Sequence, residues 1–197
     1  MKIKLILLFS LISITVFSQK AYEPKQNHLP IKYVLKTNNK DTLSSRIVAS
    51  YPFKMDHFTP DTFVKKIKLV SEKGKEIIPI SEVKYMEITD FDGVVFKYVT
   101  SDDFPQMNLN GSILQILYYG KKIKAVRSFQ RLDLMGNTAS SEFTFDNRDL
   151  VSTTIQYSKK NKLLINRLEK YPDLLEKYKN VHTQKDYIEV LKEYDMR

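Results

Sequence analysis

The chain has 197 residues, of which 42% are hydrophobic and 28% charged, with a formal net charge of +9 and no cysteine. That balance excludes wholesale disorder. The missing cysteine excludes disulfides, thiol nucleophiles and a cysteine-linked lipid anchor, so burial alone must hold the fold together.

In chain order, Lys2 and Lys4 precede an apolar run over 5–17 that only Ser10, Ser13 and Thr15 interrupt, and Ser18 closes it. This order of charge, apolar run and small residue is what a signal peptidase reads, and cleavage is expected after Ser18. A permanent span needs roughly 20 apolar residues, so residues 1–18 read as a signal peptide. Its removal would lower the net charge from +9 to +7.

Residues 19–29 carry no pattern and read as a flexible lead-in. From residue 30 the period is two: Ile31, Tyr33 and Leu35 alternate with Lys32 and Lys36, which predicts a strand. Asn38, Asn39 and Asp41 supply a turn into a second strand over 43–49. Pro52 and Pro60 mark residues 50–61 as a loop. Further strands are expected over 63–70, 76–80, 85–88 and 94–99, with a brief helical turn at Ser81 and Glu82. After a loop over 101–110, residues 113–119 form a nearly continuous apolar run, as a central strand covered on both faces would. Gly120-Lys121 signals a hairpin returning over 123–129. Residues 138–148 read as polar loop with at most a short strand at 143–145, before a last strand over 150–157.

At Lys159 the period changes. Leu164, Leu168 and Tyr171 form a helical stripe, and Pro172 suits the first turn of a second helix. Thr183 with Asp186 three residues on resembles a capping box, ahead of a face made by Tyr187, Ile188, Leu191 and Tyr194. The expected fold is α+β. A mainly antiparallel β body over 30–158, a sandwich or partly open barrel of about eight or nine strands, precedes two or three short helices over 159–197 that pack on it.

Several segments resemble a known group. Tyr33-Val34-Leu35 leads through Asn38-Asn39-Lys40 to Asp41-Thr42-Leu43; Lys65 to Leu69, Pro79-Ile80-Ser81-Glu82-Val83 and Ile116-Leu117-Tyr118-Tyr119-Gly120-Lys121 follow. In this the chain is similar to uncharacterised exported β-rich proteins of Bacteroidetes-type bacteria. It departs from their pattern at Lys40 and Ser45, where glycine is usual. The resemblance implies an exported β-rich architecture and carries no activity or site.

No residue is assigned a catalytic, cofactor-binding or metal-binding role. His28, His57 and His182 lie apart in sequence, whereas histidine metal sites use closely spaced partners. Met55-Asp56-His57 through Asp61 reads as a solvated loop. Asp90-Phe91-Asp92-Gly93 resembles a calcium loop but lacks its later acidic positions, and turn chemistry explains it; Asp102 and Asp103 stand in the next loop. No Gly-x-Ser-x-Gly elbow or glycine-rich phosphate loop is present, while a carboxylate pair brought together by folding would leave no spacing to read.

The basic residues offer a second reading. Lys66, Lys68, Lys122 and Lys124 alternate outward in the two densest clusters and are candidates for contact with a polyanion, an acidic envelope glycan or lipopolysaccharide, through screened charge attraction. Outward lysines equally protect sheet edges. Tyr33, Phe96, Tyr98 and Phe129 are expected in the core. The leading expectation is an exported, non-enzymatic binding or envelope-associated module without nucleic-acid partners. Polyanion or glycan binding is the alternative, and an enzyme with a site hidden from sequence the second.

Overall fold

A computed structural model describes residues 22–50, 57–132, 138–154 and 156–197. The predicted signal peptide lies outside the described residues, as do Met55 and Asp56. The described residues form one antiparallel sheet of ten strands and three C-terminal α-helices, an α+β fold that is mainly β.

The strands are β1 (His28–Leu35), β2 (Leu43–Val48), β3 (Lys66–Ser71), β4 (Gly74–Pro79), β5 (Val83–Thr89), β6 (Val95–Thr100), β7 (Ile113–Tyr119), β8 (Ile123–Arg131), β9 (Thr138–Asp146) and β10 (Asp149–Thr154). Their order across the sheet is β10-β9-β8-β7-β6-β5-β1-β2-β3-β4. Two meanders are therefore joined where β1 pairs with β5, with Tyr33 opposite Met86. A flat sheet would hold β4 four spacings, about 19 Å, from β5. Yet only Ile80–Glu82 joins them, and the four Cα steps from Pro79 to Val83 reach at most about 14 Å. Strands β5-β1-β2-β3-β4 must therefore curl into a partly open barrel. Its inward face is the apolar half of the period-two pattern: Ile31, Ile47, Ile67, Ile78, Met86 and Ile88 form one buried cluster.

The other half of the sheet is covered on the same face by α1 (Lys162–Leu168), α2 (Pro172–Lys179) and α3 (Gln184–Asp195). Leu164, Leu168, Leu174, Tyr187 and Leu191 pack with Ile123 and Ala125 of β8 and Val151 of β10. Caps fix the helix starts as the sequence suggests. Asn161 accepts from the Leu163 N–H ahead of α1, Pro172 opens α2, and Thr183 and Asp186 form a reciprocal capping box on α3. On the opposite face, Phe104 of the β6–β7 loop lies against Leu114, Val126 and Phe145.

Three expectations are corrected. β1 begins at His28, inside the expected lead-in, because His28 pairs with Val48 on β2. Phe63 belongs to a loop that crosses the sheet face, and β3 starts only at Lys66. Residues 138–146, expected as loop, form a nine-residue strand paired along its length with β8. Its hydrophobic period is hidden because Glu142, Thr144 and Asp146 turn inward and meet hydroxyls of Tyr157, Tyr187 and Tyr194 on the helical side. A satisfied buried polar group substitutes for an apolar one without leaving a pattern.

The end of α3 locks onto the β7–β8 turn. The Asp195 carboxylate accepts the backbone N–H groups of Lys121, Lys122 and Ile123 at 3.0, 2.8 and 3.0 Å. Gly120 makes room for it, since a methyl group there would overlap the carboxylate. Burial opposes the Asp195 charge, but these donors outweigh it and hold its pKa below the ordinary carboxylate value. A depressed folded pKa gives stability that is complete above the unfolded pKa, near 4, and lost as pH falls through the folded one. Urea unfolding at pH 6 and pH 3 should therefore show Asp195→Asn losing less stability on acidification than the parent. Equal losses would mean that Asp195 contributes nothing to the acid response.

Candidate functional site

The inward face carries a polar row through its middle. Cross-strand pairing sets Tyr98 of β6 beside Gln115 of β7, Gln115 beside Arg127 of β8, and Arg127 beside Glu142 of β9. Paired residues share a face, so these four side chains stand in line between the barrel interior and the helices.

Each end of the row is anchored differently. Arg127 donates through Nε and Nη2 to Glu142 Oε1 at 3.1 and 2.5 Å, and through Nη2 to Gln184 Oε1 of α3 at 2.9 Å. Tyr157 donates to Glu142 Oε2. Burial first, then that hydrogen bond and the Glu142 charge, push the Tyr157 phenol above its ordinary pKa, so it remains a donor. Arg127 Nη1 makes only a long 3.4 Å contact to Gln115 Oε1. At the other end Tyr98 is 2% exposed and packs its ring 4.7 Å from that of Phe63. Burial, followed by the Asp90 charge, raises the Tyr98 pKa as well.

Above the row is a pocket of about 240 Å³ lined by Phe58, Pro60, Phe63, Phe96 and Phe129 together with His57, Asp90, Tyr98, Gln115 and Arg127. The crossing loop builds its outer wall. Phe58 meets Phe96 edge-on at 5.6 Å, and Phe63 meets Phe129 edge-on at 5.8 Å. At the rim, His57 Nδ1 lies 2.9 Å from Asp90 Oδ2, while the Phe91 N–H donates to Asp90 Oδ1.

The hydrogen-bond inventory of this pocket is lopsided. Every fully enclosed side-chain nitrogen and oxygen among the described residues has a partner. The Tyr98 hydroxyl and the Gln115 amide nitrogen have none among those residues, although both side chains are buried and both line the pocket. Buried tyrosines ordinarily find a partner for the hydroxyl, so these two groups must open onto the pocket space.

The sequence-predicted lysines stand elsewhere and apart. Lys66 and Lys68 project from the outer face of β3 and border a 170 Å³ cleft with Lys65, Asp61 and Arg131. Lys122 sits in the turn before β8 and not on a strand, its ammonium 4.2 Å from the Tyr194 ring centre; Lys124 lies 4.5 Å over Tyr119. Lys66 and Lys68 meet the end of β8 at Arg131, whereas Lys122 and Lys124 lie at its start, so the two pairs of lysines stand apart. The turn at Asp90 closes through the Gly93 N–H and the Asp90 carbonyl, and Asp102 pairs with Lys36 at 2.6 Å, away from Asp90. Among the described residues no three acidic or histidine side chains are gathered to hold a metal ion.

Sequence reading put Tyr98, Phe96 and Phe129 in the core and missed Gln115 altogether. The available signal was Gln115 itself, the one strongly polar residue inside the apolar run of β7. Comparison with protein-family models, with proteins of described function and with solved structures finds no match to this chain. Among the described residues no helix is long and apolar enough to cross a membrane.

Proposed function

We propose that the chain is an exported, non-enzymatic binding module that holds a small ligand in the pocket over the Tyr98–Gln115–Arg127 row. Export is supported by the charged, apolar and small-residue order of residues 1–18 and by the resemblance to exported β-rich proteins. Binding is supported by one observation above the others: two polar groups of buried residues that have no partner among the described residues and open into an aromatic-walled pocket. Most pockets that hold small molecules combine apolar walls with a few placed polar groups in this way.

A binding role fits better than a catalytic one because the charged groups are already engaged with one another. Both oxygens of Glu142 accept hydrogen bonds, from Arg127 and Tyr157, and both oxygens of Asp90 are engaged, by His57 and the Phe91 N–H. Neither carboxylate is poised as a general base. The polyanion reading rests on Lys66, Lys68, Lys122 and Lys124; Lys65 and Arg131 border the cleft at the first two, while the last two lie over aromatic rings.

The test uses protein recovered from the periplasm of an expressing Gram-negative host, where the first residue should read Gln19. Titration with small ring compounds, charged and neutral, is expected to move the Gln115 side-chain amide resonance together with the backbone amides of Tyr98 and Arg127. The Tyr98→Phe/Gln115→Leu variant should fold with stability within about 1 kcal/mol of the parent, because it removes two groups without partners among the described residues and only the long 3.4 Å contact of Arg127 to Gln115 Oε1, and should lose the accompanying shifts of the backbone amides of residues 98 and 127.

A further inference from the structure

The geometry points to a ring-bearing monocarboxylate as the ligand of this pocket, its carboxylate on Tyr98, Gln115 and Arg127 and its ring among Phe58, Phe96 and Phe129. This rests on the binding reading above and narrows it to one chemical class.

What is unpaired decides the head group. The Tyr98 O–H, the Gln115 Nε2 hydrogens and the weakly engaged Arg127 Nη1 are donors. The acceptors around them are occupied: Gln115 Oε1 faces Arg127, Glu142 serves Arg127 and Tyr157, and Asp90 serves His57 and the Phe91 N–H. A ligand rich in hydroxyl groups would bring donors of its own and leave some of them unsatisfied, which is costly in a desolvated site. A carboxylate has acceptors only, with about four lone-pair sites. Charge-assisted hydrogen bonds to it are roughly twice as strong as neutral ones.

The rest of the cavity decides the body. Its volume of about 240 Å³ lies below the usual range for drug-sized ligands, and five of its lining residues are Phe58, Phe63, Phe96, Phe129 and Pro60. Edge-on pairs at 76° and 90° leave ring faces and edges available to a further ring, the offset and perpendicular arrangements that aromatic groups favour. One ring on a short stem fills such a space. A chain of sugars exceeds it.

Isothermal titration of the mature chain with phenylacetate, benzyl alcohol and glucose tests this. Phenylacetate is expected to bind at least tenfold more tightly than benzyl alcohol, which keeps the ring and lacks the anionic head, and glucose is expected not to bind. Tyr98→Phe, which removes only the hydroxyl, should weaken phenylacetate about fivefold and leave benzyl alcohol unchanged. If benzyl alcohol or glucose binds as tightly as phenylacetate and loses affinity in Tyr98→Phe/Gln115→Leu, the carboxylate assignment falls while the pocket reading stands. If none of the three binds, the carboxylate assignment is overturned, and an unmoved Gln115 amide in the wider set of ring compounds overturns the pocket reading with it.

Discussion

Replacing Leu191 with Asp is expected to detach the C-terminal helices or unfold the domain at neutral pH. Leu191 is fully buried in the cluster that joins α3 to Ile123 and Ala125 of β8. Truncating such a leucine to Ala costs about 2–5 kcal/mol. Asp removes a similar volume and adds a carboxylate with no partner, so the penalty approaches the whole stability of a typical domain, about 5–15 kcal/mol. Leu191→Met, which preserves volume, should cost less than about 1.5 kcal/mol. Denaturant unfolding followed by circular dichroism separates the two. A Leu191→Asp protein with unchanged midpoint would mean that the helices are an independent arm.

Glu142→Ala is the second large effect. It strips Arg127 of its carboxylate and Tyr157 of its acceptor where the Glu142 side chain is 11% exposed and that of Arg127 24%. Breaking a buried pair from one side costs about 3–5 kcal/mol, most of it the stranded charge; the partial exposure of Arg127 places this case near the lower figure. Removing the charge as well, in Arg127→Met/Glu142→Leu, is expected to restore most of the loss, because two apolar side chains replace a pair that was costly to desolvate. A double-mutant cycle from urea unfolding of Arg127→Met, Glu142→Leu and the two combined gives the coupling directly. Equal destabilisation by the single and the double variant would show that the pair matters only through its packing.

The parts of this fold that were legible in sequence are those where burial leaves a period. Ile31, Tyr33 and Leu35 alternate with lysine and line the barrel; Leu164, Leu168 and Leu191 recur at helical spacing and meet the sheet. Pro172 and the Thr183–Asp186 box mark helix starts through local chemistry that needs no tertiary context. β9 was hidden because Glu142, Thr144 and Asp146 are buried polar residues that meet Tyr157, Tyr187 and Tyr194 of the distant C-terminal segment. Phe63 looked like the start of a strand because an aromatic crossing the sheet face and an aromatic within the sheet are equally apolar. The curl of β5-β1-β2-β3-β4 depends on which strands pair, and pairing between distant segments has no spacing signature in a single chain.

The pocket was illegible for a related reason. Tyr98, Gln115 and Arg127 lie on three different strands and become neighbours only through register. Tyr98 is at a core position by every local criterion. Its hydroxyl is informative only because nothing among the described residues accepts it, which is a property of the assembled sheet. Arg127 stands close in sequence to Lys122 and Lys124, but those two turn to Tyr194 and Tyr119, while Arg127 turns inward to Glu142.

The most direct measurement is the ¹⁵N spectrum of the chain from Gln19 onward, followed at the Gln115 side-chain amide as small ring compounds are added. A ligand seated on the polar row should shift that resonance together with the backbone amides of Tyr98, Gln115 and Arg127, and saturate. The backbone shifts should vanish in Tyr98→Phe/Gln115→Leu, which lacks the side-chain amide itself, while the unfolding midpoint stays in place. Shifts that gather instead at Lys65, Lys66 and Lys68, or an unmoved Gln115 amide beside a ligand that binds elsewhere, would contradict the placement of the site.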